Sequence, residues 1–423
     1  MAPSLFVVLL LLAARPPHAA AAAAGASDLP GKCRAWLVQS IPTDMPDLPR
    51  VPGVLSSGDV LRWLAGNATE NLDILAQYWQ LVAAPKNPRS GDYGYSDADM
   101  ARFGADVGLQ VYKELEAAAD RKVDIRRHSG VYPDYVQEHL ILLQKTKCAE
   151  LWISDRDSLY IGSANNDWKS LTQVKELGIY LVGCPRIAKW VETYFDNLMK
   201  LSKLNSTEYT KTVWDDQWQV YRKVPCWSHF IHEKERCRSP LPPSIEVPQV
   251  NGYPALLDPF MFQIPFETPG CNTSARANYS SYLSFALPEL LFGKFQADEQ
   301  GWVETIKSVK TGGTVRISTM DWLGQSQFTQ QTIYWPSLSS AISEVAFSKN
   351  ATVHLLVAYW AHSIDNADQY LKNLLYSNIL CTSSKYNNCG GKIEIKYYMI
   401  PGYNKPDRHS EWECYWEFIP SLY

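Results

Sequence analysis

At 423 residues the chain is longer than one hydrophobic core usually organises, so two domains or two pseudo-symmetric halves are expected. Apolar residues at 46% and charged residues at 20% exclude a disordered chain, a fibre and a multi-span membrane protein. The formal net charge of −4 excludes a global attraction for polyanions, so a nucleic acid or phospholipid would have to meet a local basic pocket.

The first residues have the anatomy of a signal peptide. An apolar run over 5–14 is followed by Arg15-Pro16-Pro17 and an alanine tract that reaches Ala24. The run is far short of the ~20 apolar residues that span a bilayer, and the tract offers small-residue cleavage sites. Residues 1–24 are therefore expected to be a cleaved leader, which sends the chain into the secretory pathway, to an extracellular or luminal destination such as a vacuole or lysosome. That compartment is oxidising, so the nine cysteines (33, 148, 184, 226, 237, 271, 381, 389 and 414) are expected to include disulfides. Spacing does not set their connectivity, although 226 with 237 and 381 with 389 close the shortest loops. Asn-x-Ser/Thr tripeptides at Asn67, Asn205, Asn272, Asn278 and Asn350 are compatible with glycosylation there.

After the leader, residues 35–40 read as a strand, 57–65 as a helix capped by Ser57, and 72–81 as a buried strand. Helical spacing over 100–119 places Phe103, Val107, Val111 and Leu115 on one face, and 123–126 restarts a strand. Residues 151–154 and 159–161 read as a hairpin closed by 155–158, with a strand at 179–182 and a helix at 187–201. Proline is dense between 224 and 269, which disfavours regular elements and suggests a connection between halves. The rhythm then resumes: an apolar run at 283–291, helices at 302–309, 339–347 and 367–376, and strands at 315–320, 352–359 and 393–399. Alternating strands and helices imply an α/β protein with mixed sheets flanked by helices.

The most informative stretch holds Trp152-Ile153-Ser154-Asp155, then Gly162-Ser163-Ala164-Asn165-Asn166-Asp167-Trp168, then Gln173-Val174-Lys175-Glu176-Leu177-Gly178. It resembles the phospholipase D superfamily, whose motif is His-x-Lys, four residues, Asp, six residues and Gly-Ser-x-Asn; Asp155, Gly162, Ser163 and Asn165 fall on those offsets. The likeness is to the secretory, luminal branch related to endolysosomal exonucleases. It extends to Tyr78-Trp79, Tyr334-Trp335-Pro336 and Tyr359-Trp360-Ala361-His362-Ser363, covering most of 35–403. The resemblance implies two phospholipase D-like halves at 33–223 and 276–403, the second incomplete, with a proline-rich connection at 224–275 and an atypical tail at 404–423.

In such a family one histidine attacks phosphorus, a second protonates the leaving oxygen, and two lysines neutralise the phosphoryl group. Ser163 and Asn165 would add hydrogen bonds to phosphate oxygens, and no metal or cofactor is implied. Yet Cys148 stands at the histidine offset before Asp155, and Glu150 at the lysine offset. A carboxylate repels the phosphate that lysine should hold, and a cysteine is not the histidine nucleophile of the family. The remaining His-x-Lys, His232-Glu233-Lys234, has Ser239 at the aspartate offset, and His409 is followed by Glu411 at the lysine offset. Asp155 reads equally as a hairpin cap or as a family remnant. His354 and His362 read as satisfied histidines, and Lys169 and Lys175 as solvated lysines. Two function classes follow. One is an inactive phospholipase D-like protein whose ligand bears phosphate, as phospholipid or single-stranded nucleic acid do. The other is an active phosphodiesterase whose complete form carries both His-x-Lys motifs.

Overall fold

The computed structural model describes residues 11–13, 33–43, 54–76, 79–129, 150–202, 249–250, 253–254, 260–265, 278–283, 297–325, 334–359, 363, 367–382 and 390–399. The chain divides into two compact units. One is built from residues 6–219 with 226–297, the other from 298–423 with 1–5 and 220–225. The boundary between these units falls near 297.

In the first unit the elements in chain order are β1 (Leu11–Ala13), β2 (Arg34–Ser40), β3 (Leu55–Ser56), α1 (Ser57–Asn67), β4 (Asn71–Ala76), β5 (Trp79–Gln80), α2 (Asp97–Arg102), α3 (Asp106–Asp120), β6 (Asp124–Ser129), β7 (Glu150–Ser154), β8 (Ser158–Gly162), β9 (Asn166–Asp167), α4 (Trp168–Thr172), β10 (Glu176–Val182) and α5 (Pro185–Ser202). Short strands β11 (Gln249–Val250) and β12 (Tyr253–Pro254) pair with each other, and β13 (Phe260–Pro265) pairs with β14 (Asn278–Leu283), which also takes β1. The proline-rich stretch is therefore not devoid of ladders. Pro265 ends β13, which lies at the edge of its sheet, where a missing N–H costs least.

The central sheet has seven strands in the order β3-β2-β10-β8-β7-β4-β6. It is mixed: β4 runs parallel to β6 and β2 to β3, while β4–β7, β7–β8, β8–β10 and β10–β2 are antiparallel. β4 and β7 are buried on both faces, which explains their largely unbroken apolar character. Helices α1 and α3 cover one face through Val60, Leu61, Leu64, Val111, Leu115 and Ala118, packed on Leu72, Ile74, Trp152 and Tyr160. The apolar positions recur at the helical period and so face one way.

Three local readings change. Ser56, not Ser57, caps α1, its hydroxyl accepting the Asp59 N–H at 3.5 Å. The expected helix at 100–119 is two helices, because Gly104 takes a left-handed φ of 77° between them. The expected strand at 72–81 ends at Ala76.

The second unit is a parallel sheet, β15 (Thr314–Thr319), β16 (Thr352–Tyr359) and β17 (Lys392–Met399), ordered as written. Its helices are α6 (Ala297–Lys307), α7 (Ser337–Lys349) and α8 (Ala367–Thr382). Ile317, Val353, Leu355, Val357, Ile393 and Ile395 pack on Ile342, Val345, Leu371 and Leu374 in its core. Both units are therefore α/β, as expected, but among the described residues the sheet of the second unit is parallel rather than mixed, because a helix lies between each strand and the next and returns the chain to the same end of the sheet.

Candidate functional site

The β7–β8 hairpin organises the resemblance. Its register pairs Glu150 with Gly162 at one end and Ser154 with Ser158 at the other. Gly162 lacks a side chain for a packing reason: a Cβ there would lie 2.1 Å from the Tyr160 hydroxyl.

At the open end, Ser163 is buried and locked to β10. Its N–H donates to the Leu177 carbonyl at 3.0 Å, and its hydroxyl accepts the Leu177 N–H at 3.1 Å and donates to Glu176 Oε2 at 2.5 Å. Burial drives the Glu176 carboxyl up to about 8; the Ser163 hydrogen bond opposes this and the nearby Asp167 adds to it. Burial also raises the Tyr160 phenol, reinforced by the negative potential of Glu176 and Glu150. Glu150 itself is buried. Asn165 is buried on the segment that leads into β9. Next to it, Asn166 accepts the Trp152 indole N–H at 2.9 Å, while Asp167 caps α4 by accepting the Ser170 N–H at 2.8 Å. Trp79 stacks on Trp152 behind them.

Asp155 shares the hairpin but sits at its other end. It follows the Ser154–Ser158 pair, which is four residues, or roughly 13 Å, from the Glu150–Gly162 pair. Its carboxylate accepts the N–H groups of Thr69, Glu70 and Asn71 at 2.8–3.1 Å and the Thr69 hydroxyl at 2.8 Å. Burial opposes its ionisation, but these donors outweigh burial and hold the carboxyl below its usual range. Both Asp155 and Arg156 have φ of 51°, so Asp155 turns the hairpin while tying it to the start of β4. The structure thus joins Glu150, Ser163, Asn165 and Glu176 in one place and separates Asp155 from them.

Neither lysine is a spare cation. Lys169 pairs with the fully buried Asp92 at 2.6 Å, and Lys175 donates to Gln39 at 2.8 Å. Asp92 also accepts from Gln80, Ala84 and Trp168, which pins the preceding loop to the motif. In the second unit His354 faces Glu394 at 2.7 Å. Cys148, Tyr78, His362, Asn205 and Asn272 lie outside the described residues, as do His232 and His409. Among the described residues, no group of three or more potential ligands could hold a metal ion.

Sequence reasoning missed two features. Glu176 lies beyond the Gly-Ser-x-Asn offsets, and its downstream position in the stretch through Gly178 was the available signal. Cys33 and Cys184 form a disulfide between the residues that flank the Arg34–Val182 pair of β2 and β10, 151 positions apart in sequence. Of the short pairs 226/237 and 381/389, residues 226, 237 and 389 lie outside the described residues.

The mixed α/β fold with its Gly-Ser-x-Asn corner beside a two-stranded turn carries a phospholipase D-like domain, and the chain is similar to members of the phospholipase D superfamily. A family model described as "PLD3/4, PLD-like domain" matches residues 50–214, which contain the whole hairpin. The chain is 24% identical over 388 residues to the 5'-3' exonuclease PLD3 of Macaca fascicularis, covering 87% of this chain and 66% of that one. It is 24% identical over 374 residues to phospholipase D Z of Dictyostelium discoideum (83% and 71%) and 24% over 387 residues to the 5'-3' exonuclease PLD4 of Mus musculus (87% and 64%). The chain therefore spans about two thirds of the length of the exonucleases it matches.

Proposed function

We propose that this chain, as written, is a phospholipase D-like protein of the secretory pathway that does not turn over phosphodiesters. The observation that carries the reading is Glu150, a buried carboxyl at the lysine offset, paired in register with Gly162 beside a second buried carboxyl, Glu176. A phosphoryl group at this end of the hairpin would meet buried carboxyls where lysine should supply a positive charge to neutralise it. The Ser163 hydroxyl is committed to Glu176 and Leu177, so the remaining polar groups do not compensate. Cys148 at the nucleophile offset completes the defect, because loss of a nucleophile alone costs about 10⁶-fold in a well-studied protease. Any phosphate-bearing ligand, phospholipid or single-stranded nucleic acid, would have to be held by groups outside this pocket.

The secretory address is supported by the leader at 1–24 and by the Cys33–Cys184 disulfide, a bond that persists in oxidising compartments. Cleavage of that leader would remove β1 from the edge of β14. Among the described residues no helix is long and apolar enough to cross a membrane.

The test is hydrolysis of a single-stranded oligonucleotide and of a phospholipid by the purified chain, with background rates expected for both. Turnover abolished by Cys148→Ala would overturn the proposal. Cys148→His with Glu150→Lys should still be inactive, since it restores one of the two His-Lys pairs. A second reading, an active enzyme whose complete form carries both motifs, is favoured by the similarity to proteins named as 5'-3' exonucleases. Sequencing the transcript across 138–151 separates the two, because only the second reading requires His-x-Lys there.

A further inference from the structure

We propose that Asn67 carries an N-linked glycan, an inference that rests on the secretory reading above. The tripeptide Asn67-Ala68-Thr69 alone is weak, because Thr69 has a separate use: its hydroxyl donates to Asp155 at 2.8 Å. What singles out this site is the lack of any structural use for the asparagine. Asn67 is the last residue of α1 and its side chain is exposed. Asparagine sometimes ends a helix in the left-handed conformation, but here Asn67 is helical and the cap is Ala68 in an extended conformation (φ −61°, ψ 131°). The carbonyls of Ala65 and Ala68 are taken instead by Arg121 of the α3 end, at 2.9 and 3.2 Å.

Asn350 is the opposite case. It caps α7 in the left-handed region with φ 52°, and its Oδ1 accepts the Gly390 N–H at 3.1 Å, so its identity is explained by the fold. At Asn67 the chain turns from helix to extended backbone on the surface, leaving the amide nitrogen open to solvent and the third residue anchored.

The reaction is a transfer from a lipid-linked oligosaccharide pyrophosphate. The amide nitrogen of Asn67 forms a bond to the anomeric carbon of the first sugar, and the bond from that carbon to the pyrophosphate oxygen breaks. The nitrogen loses one proton and the lipid pyrophosphate departs. The attached chain would cover the turn formed by residues 69–71 and the Asp155 end of the hairpin.

The test uses the full chain from a secreting eukaryotic host, with peptide mass mapping before and after N-glycosidase digestion in heavy-oxygen water. Heavy oxygen at residue 67 is expected. Asn67→Gln should lose one glycan without lowering the unfolding temperature of the deglycosylated protein. Thr69→Ser should keep the glycan, since a serine hydroxyl serves both the transferase and Asp155, whereas Thr69→Ala should lose the glycan and also lower the unfolding temperature. A secreted chain with the Cys33–Cys184 disulfide but an unmodified residue 67 would overturn this inference alone. A chain that stays reduced, with its leader intact, would overturn the secretory reading along with it.

Discussion

Replacing Glu176 by glutamine should make the protein more stable near neutral pH, and the gain should vanish in acid. The carboxyl titrates near 8 in the folded chain against 4.5 when unfolded, so between those values the folded state retains a proton that the unfolded state releases. Ionisation favours the unfolded chain, and stability therefore falls as pH rises from 4.5 towards 8. At about 1.4 kcal/mol per unit, the penalty is under about 1 kcal/mol at pH 5, about 3 at pH 7, and levels off near 5 above pH 8. The amide introduced by Glu176→Gln would keep an acceptor for the Ser163 hydroxyl and has nothing to ionise. Asp73, whose carboxyl burial also raises while Arg126 pulls it back, is present in both proteins and cancels in the difference. Urea unfolding followed by tryptophan fluorescence at pH 5, 6, 7 and 8 reads the effect through Trp152 and Trp168, which are buried near the site. Matching pH dependence in the two proteins, or a variant less stable than the parent at pH 8, would refute the assignment of Glu176 as a buried, proton-holding carboxyl.

Asp155→Asn keeps a residue that tolerates positive φ but removes the charge that serves four donors. It should cost about 2 kcal/mol at pH 7, with the deficit shrinking below pH 4 as the parent carboxyl protonates, measured by the same unfolding series. Cys33→Ser should cost about 2–5 kcal/mol, because a loop of 151 positions is no longer closed, and the thiol count under denaturing conditions should rise accordingly. Gly162→Ala should destabilise by about 1–3 kcal/mol through the Tyr160 clash, visible as a lower thermal midpoint, and a neutral effect would show that Tyr160 can move aside.

Local pattern carried much of the fold. The strand 352–359 is found with the same limits, the 151–161 hairpin turns where expected, and the α5 and α7 helices extend the predicted spans by a few residues at most. These elements depend on the alternation or helical recurrence of their own side chains, which any window of sequence displays. The break at Gly104 was harder to read, because one glycine inside an apolar period changes the backbone without changing the period. The Gly162-Ser163-Ala164-Asn165 corner, and Cys148 and Glu150 at the histidine and lysine offsets, were likewise legible, since offsets along the chain are a property of the chain itself.

What only the tertiary structure decided are the relations between distant residues. Asp155 serves the backbone at 69–71, Lys169 neutralises Asp92, Cys33 bonds to Cys184, and Ser163 is held by Glu176. Each depends on which strands lie side by side in the seven-stranded sheet, and that order is set by packing the whole core at once. The proton on Glu176 belongs to the same class: a carboxyl titrates near 8 only when the fold has removed its water, and desolvation is a property of the assembled core rather than of any residue in the chain.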